Sequence, residues 1–211
     1  MTIETIVVGP FEVNCYLVWK KEDGAGVIID PGDEDELIIE RIARNNIAVK
    51  AILLTHGHGD HIAAVKPLKE KYGVPLYIGT GDEELLASPS ANISALFGHE
   101  IICPPAEHVV SDGDVITAGS LTFTVFATPG HTRGGVCYFG GNNLFCGDTL
   151  FNGSIGRTDL PGGNLEQLLR SIERNILTLP DEIKCYPGHG PLTTVGNERK
   201  FNPFLNPRRF A

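Results

Sequence analysis

The chain has 211 residues, 42% of them apolar and 20% charged, with 17 basic against 26 acidic side chains and a net charge of −9. This composition excludes disorder across the bulk of the chain and fits one globular domain over residues 1–211. The acidic balance speaks against a nucleic-acid partner, and no apolar run approaches the roughly 18 residues of a membrane span.

The start, Met-Thr-Ile-Glu-Thr-Ile-Val-Val, has neither the basic nor the long apolar region of a secretory signal. The five cysteines, Cys15, Cys103, Cys137, Cys146 and Cys185, are odd in number and widely spaced. They read as small buried hydrophobes in a reducing, cytoplasmic setting, and not as a disulfide framework.

In chain order, Ile3–Val8, Tyr16–Trp19 and Gly26–Ile29 read as strands, the last closed by Asp30-Pro31-Gly32. Residues 34–45 show helical periodicity. Val49–Leu54 is a strand of the buried type and runs directly into Thr-His-Gly-His-Gly-Asp-His at 55–61. A helix over 62–72 follows, then a strand at Pro75–Ile78 and a short helix at Asp82–Ala87. Residues 88–110, with Pro89, Pro104 and Pro105, show no clear period. Ser111–Asp114 is a turn. Strands are expected at Leu121–Ala127, Gly135–Phe139 and Asn143–Cys146. A helix over 164–177 has Asn164 as its N-cap candidate, and a last strand at Ile183–Tyr186 ends in Pro-Gly-His-Gly. Strands outnumber helices without strict alternation, which points to mixed sheets with helices outside them.

His56, His58, Asp60 and His61 place four potential ligands within six residues. Imidazole and carboxylate are donors that zinc, iron and manganese accept, and the glycines between them suit a tight loop with converging side chains. His131 in Thr-Pro-Gly-His-Thr, Asp148 in Cys-Gly-Asp-Thr and His189 in Pro-Gly-His-Gly each follow a strand. Alone each is weak. Together with the first block they make seven groups, too many for one cation and suited to two.

The order H-x-H-x-D-H, His, Asp, His, spread over residues 56–189, resembles the metallo-β-lactamase superfamily. Phe11-Glu12-Val13-Asn14-Cys15-Tyr16-Leu17 and Ile29-Asp30-Pro31-Gly32 are similar to its opening strands. Gly153-Ser154-Ile155-Gly156-Arg157-Thr158-Asp159 and Asn202-Pro203-Phe204-Leu205 narrow the likeness to the short glyoxalase II-like hydrolases, relatives of hydroxyacylglutathione hydrolase. The resemblance implies an α/β (α+β) fold, an αββα four-layer sandwich of two mixed β-sheets. It implies two divalent cations, zinc first and iron or manganese also suited. His56, His58 and His131 would hold one, Asp60, His61 and His189 the other, and Asp148 both. Several lactam-hydrolysing relatives carry cysteine at the Asp148 position, which lowers that reading. His99 and His108 match no ligand position.

The activity implied is hydrolysis of an anionic acyl-thioester, such as S-lactoylglutathione, through a hydroxide bridging the cations, with Asp60 and Asp148 as catalytic carboxylates. Asp30 would support the histidine loop from beneath or simply form a turn before Pro31. Arg157 would anchor a substrate carboxylate or make a structural salt bridge. Full-length glyoxalase II continues into a glutathione-binding helical domain, whereas this sequence stops shortly after Asn-Pro-Phe-Leu. Arg199, Lys200, Arg208 and Arg209 are the basic residues available there. A mononuclear iron persulfide dioxygenase using His56, His131 and Asp148 is the alternative on the same fold. No membrane partner is expected.

Overall fold

The computed structural model describes residues 1–206; Arg208 and Arg209 lie outside them. Two six-stranded sheets carry the chain. In the first, β1 (Thr2–Val8), β2 (Val13–Trp19) and β3 (Ala25–Ile29) run antiparallel. Helix α1 (Asp35–Arg44) then crosses to β4 (Ala48–Leu53), which lies parallel to β3. Short helix α2 (Gly59–Ile62) and helix α3 (Val65–Tyr72) lead to β5 (Leu76–Gly79), and β6 (His108–Val110) completes a parallel run.

The second sheet begins with the antiparallel strands β7 (Val115–Ala118), β8 (Leu121–Ala127), β9 (Val136–Gly140) and β10 (Asn143–Gly147). A two-strand hairpin, β11 (Leu150–Phe151) and β12 (Ser154–Ile155), precedes helix α4 (Leu165–Asn175). Strand β13 (Lys184–Pro187) joins β10 in parallel, β14 (Thr193–Thr194) pairs with β13, and α5 (Val195–Phe201) follows.

Parity along the buried strands builds the layers. Successive side chains of a strand face opposite sides, so a strand covered on both faces is apolar throughout yet divides its residues between two cores. In β2, Cys15 and Leu17 join Ile38, Ile42, Val65 and Leu68 in the layer beneath α1 and α3. Tyr16 and Val18 face the other way, into the core between the sheets with Phe123, Val125, Tyr138 and Phe145. In β10, Leu144 and Cys146 pack on Leu168 and Ile172 of α4. Three apolar layers separate four structural ones, which is the αββα sandwich expected. All five cysteines are free and buried within or beside these layers.

The expected strands are present with ends within one residue, except that β2 starts at Val13, three residues before the expected Tyr16. The single helix expected over 62–72 is instead α2 and α3, with a break at Ala63–Ala64. Pro67 lies in the first turn of α3, where no N–H is required of it; deeper in one continuous helix it would remove a bond. The start of α2 at Gly59 puts Asp60 and His61 on a helical turn. Asn164 does cap α4, accepting from Gln167 N at 2.9 Å. Strands β6, β7, β11, β12 and β14 and helix α5 are additional to the sequence reading. No helix among the described residues is long and apolar enough to cross a membrane.

Candidate metal centre

The loops that follow β3, β4, β8, β10 and β13 meet along one rim of the sandwich. They carry Asp30, the 56–61 block, His131, Asp148 and His189, so all seven predicted donors come together there. Rigid strand ends displaying chemistry on loops is the usual division of labour. His56, His58 and His131 offer nitrogens within 4.8 Å of one another, and Asp60, His61 and His189 form a second set on the same criterion. Each set draws on both sheets.

Asp148 stands between the two sets. Its Oδ1 lies 3.5 Å from His61 Nε2, and its Oδ2 lies 3.5 Å from His131 Nε2 and 3.6 Å from His189 Nε2. Asp60 Oδ2 is 3.8 Å from His61 Nε2 and 3.5 Å from His189 Nε2. Gly188 is required by this crowding, because a Cβ there would run into Asp148 Oδ1 and His61 Cε1.

Hydrogen bonds behind the rings fix which nitrogen faces inward. His131 Nδ1 donates to the Arg157 carbonyl at 2.8 Å and His189 Nδ1 to the Phe11 carbonyl at 2.9 Å. His61 Nδ1 donates to Asp30 Oδ2 at 3.1 Å. Thr55 Oγ1 donates to the same carboxylate at 2.6 Å and stands 3.1 Å from His56 Nδ1, as an acceptor for it. In each ring Nε2 is then the nitrogen turned toward the centre, the arrangement that orients metal-binding histidines.

Two observations show that these residues fit a cation. His56 Nε2 and Asp148 Oδ1 are buried with no hydrogen-bond partner, an arrangement that is costly unless something else satisfies them. His131 Nε2 also faces His58 Nδ1 at only 3.0 Å. From the protein groups alone, burial drives the His56 imidazole well below its ordinary range and His58 down to about 3, so both are neutral ligands at pH 7. Burial also works against charge on His61, but Asp60, Asp148 and Asp30 outweigh it and hold that ring up to about 10.

Asp30 is not a simple turn residue. It is 1% exposed, with φ of 49°. Its carboxylate accepts from Thr55 N at 2.7 Å as well as from Thr55 Oγ1 and His61. Arg157 sits at the rim. Its guanidinium makes two 2.8 Å bonds to Asp159, while its carbonyl orients His131. His99 lies on the exposed edge of the cleft, and His108 on β6 stacks against Tyr77 at 4.4 Å, away from the donors.

Three positioning groups were not evident in the sequence. Asp82, fully buried, accepts from Gly57 N at 3.0 Å, Gly134 N at 2.6 Å and Thr132 Oγ1 at 2.7 Å. It thereby ties the loop of His56 and His58 to the loop of His131. Burial pushes its carboxyl up, and these three donors pull it part of the way back. Asn14 donates to the carbonyls of Pro187 and Gly190 at 3.0 and 2.9 Å, gripping the turn that carries His189. Glu198, also fully buried, accepts from Gly153 N at 2.9 Å and Asn202 Nδ2 at 2.8 Å, and Asn202 reaches the Ser154 carbonyl at 3.0 Å. The Asn-Pro-Phe-Leu segment therefore holds the hairpin between Asp148 and Arg157. Asp82 has no signature of its own in a single sequence, since its donors lie far along the chain.

The profile of the metallo-beta-lactamase superfamily matches residues 8–189. The hydroxyacylglutathione hydrolase GloC of Haemophilus influenzae is 39% identical, over 98% of this chain and 99% of that one. The probable metallo-hydrolase YqgX of Bacillus subtilis is 40% identical, over 94% and 95%. Among solved structures, the BLEG-1 B3 metallo-beta-lactamase superposes with a TM-score of 0.93 at 42% identity, covering 97% of this chain and 99% of that one. TTHA1623 in a di-iron-bound form gives 0.86 at 39% identity, over 96% and 100%. ETHE1 from Myxococcus xanthus gives 0.80 at 29% identity, over 96% and 84%. With its two mixed sheets, its rim of histidines and aspartates and these likenesses, the chain belongs to the metallo-β-lactamase superfamily as a metallo-hydrolase of the short glyoxalase II-like kind.

Proposed function

We propose that this protein hydrolyses anionic acyl-thioesters, S-lactoylglutathione or a related thiol ester, using two divalent cations per chain. The observation that carries the reading is the double donor set with Asp148 placed between its halves. Two cations held there supply Lewis-acid polarisation of a carbonyl and a water acidified to near neutral pH. Zinc suits the donors first; iron and manganese suit them too, and the di-iron relative keeps iron in view.

The chain's own groups do the positioning. His56, His58 and His131 would hold one cation, Asp60, His61 and His189 the other, and Asp148 would serve both. Asp60 is the carboxylate on the cleft wall beside Asp148, with 19% of its side chain exposed, and it would orient the attacking water. A thiol has a pKa near 8.5, so its anion departs with little help from a general acid. The relative named as a hydroxyacylglutathione hydrolase supports this substrate class. The reading places the protein in the cytoplasm, acting on a small molecule.

Hydrolysis of S-lactoylglutathione by metal-loaded protein tests it. A kcat/KM above about 10⁴ M⁻¹s⁻¹ is expected, within the usual enzyme range. Faster turnover of a β-lactam would replace the reading with an amide hydrolase. Oxygen uptake with a persulfide and one iron per chain would replace it with the dioxygenase. The convergence of Asp60, His61 and His189 favours two cations over that mononuclear site.

Arg157 supplies the anionic preference. Its pair with Asp159 is exposed, and such pairs contribute little, so a substrate carboxylate can take over the guanidinium. Arg157→Ala leaves the carbonyl that orients His131. It should raise KM on the order of tenfold for an anionic thioester, the worth of one charge-assisted contact, and change KM for a neutral thioester by less than about twofold. Steady-state kinetics on the two substrates decide it: equal losses would assign Arg157 a structural role only.

A further inference from the structure

The cleft over the donors has a volume of about 680 Å³, within the range that encloses a whole drug-sized ligand. Its two sides differ. Arg157, whose carbonyl accepts from His131 Nδ1, stands on one side of the donors. On the other, beside His189 and Gly59, stands an apolar wall assembled from segments far apart in sequence. The turn between β1 and β2 contributes Pro10 and Phe11, and residues 93–101 contribute Ile93, Phe97 and Ile101.

Both halves of the wall are fastened to the donor loops. The Phe11 carbonyl accepts from His189 Nδ1 at 2.9 Å. Gly59 N, between His58 and Asp60, donates to the Asn92 carbonyl at 2.8 Å. The halves meet where the rings of Phe11 and Phe97 pack edge-on with centroids 4.8 Å apart. These rings are 41% and 50% exposed, so the pair presents apolar surface to the cleft mouth that the fold itself does not cover.

Ile93 carries the argument further. Its φ is 62°, a left-handed conformation that is strained for a β-branched side chain and free for glycine. The surroundings enforce it. The fully buried Asn92 side chain donates to the carbonyls of Leu85 and Ile101, both at 2.9 Å, and accepts from Ser94 N at 3.1 Å. Strain held in place on the wall of a reaction cleft points to function. Ile93 is 9% exposed, so what isoleucine adds there over glycine is apolar bulk that backs the wall and shows an edge to the cleft.

We propose that this wall is an acyl subsite selecting apolar acyl arms, with the anionic thiol carrier lying toward Arg157. The inference rests on the thioester reading and names its substrate class: thioesters of an anionic thiol with a hydrocarbon acyl chain longer than acetyl. The test compares S-acetyl-, S-butyryl- and S-hexanoylglutathione as substrates of the metal-loaded protein, and of its Ile93→Gly and Phe97→Ala variants. Calorimetric binding of the thioethers S-methyl- and S-hexylglutathione, which cannot be hydrolysed this way, runs beside it.

A buried methylene is worth up to about fourfold. Partial burial of four added methylenes therefore predicts a hexanoyl-to-acetyl ratio of kcat/KM on the order of 10 to 100. Both variants should reduce that ratio at least about fivefold, and the hexyl-to-methyl ratio of binding constants should fall with it. Phe97 is exposed enough that its variant folds, and a circular-dichroism melt with a metal count verifies both proteins. A ratio near one in the unmodified protein, or a ratio that survives in both variants, overturns the acyl subsite and leaves thioester hydrolysis standing. A hexyl preference in binding with no turnover of any thioester overturns the hydrolysis reading instead, and with it the acyl assignment.

Discussion

Asp148→Ala is expected to lower kcat/KM by about three orders of magnitude or more and to leave the protein with fewer than two bound cations. The size follows from position. Asp148 Oδ1 faces His61 and Oδ2 faces both His131 and His189, so one carboxylate serves both donor sets. Removing it takes away negative charge from between two cation positions and a ligand from each, in a site where fixed charges dominate the barrier. Asp148 Oδ1 is buried without a hydrogen-bond partner but lies 3.5 Å from His61 Nε2, so its loss removes an ion pair and no hydrogen bond of that atom. Steady-state kinetics and elemental analysis of purified protein check both parts. Two cations retained together with activity would refute the bridging role.

Asp82→Ala should have the next largest effect, through a different route. It strands three buried donors, Gly57 N, Gly134 N and Thr132 Oγ1. Each unsatisfied buried donor costs about 1–3 kcal/mol, part of which is offset because a desolvated carboxylate is also removed. A net loss of roughly 3 kcal/mol would lower Tm by about 6–12 °C in a chain of this size. The loops of His56, His58 and His131 would also lose their common tie, so affinity for the first cation should fall about 10- to 100-fold, as when groups behind metal ligands are removed. The His61 and His189 set keeps its own supports in Asp30 and the Phe11 carbonyl. Calorimetric titration with zinc, resolving two binding events, should show the tighter loss on one of them only. An equal fall in both would mean that Asp82 serves the fold as a whole and not the first set.

What the sequence made legible was local. The block from His56 to His61 announces itself because four donor residues stand between a buried strand and a helix start. Asn164 is readable as a cap because its partner, Gln167, lies three residues on. The layers were readable because strand runs such as Val13–Trp19 are too continuously apolar to have one face in water. Asp82 was not readable: Gly57 lies 25 positions before it and Thr132 50 after it. The wall formed by Phe11, Ile93 and Phe97 escaped for the same reason, since residues 88–110 have no period and acquire shape only from Asn92 and its distant carbonyls. Strands β11, β12 and β14 contain two residues each, which is too short for any periodicity to register. The resemblance to a family supplied Asp30 and Arg157 as candidate sites, and only the fold shows that the Arg157 carbonyl orients His131.

Each donor set joins loops of both sheets: His56 and His58 with His131, Asp60 and His61 with His189. Bound cations would therefore act as rivets along one rim of the sandwich, while the opposite rim has lighter ties, such as the bond from Ser120 N to Asp23 Oδ2 at 3.1 Å. Amides near the ends of β3, β4, β10 and β13 would then exchange with solvent as a single cooperative block. Edge strands such as β1 and β7 would open on their own, at lower free energy. Rigidity in such a molecule is graded from rim to rim, and the stiff side is the one that performs the chemistry.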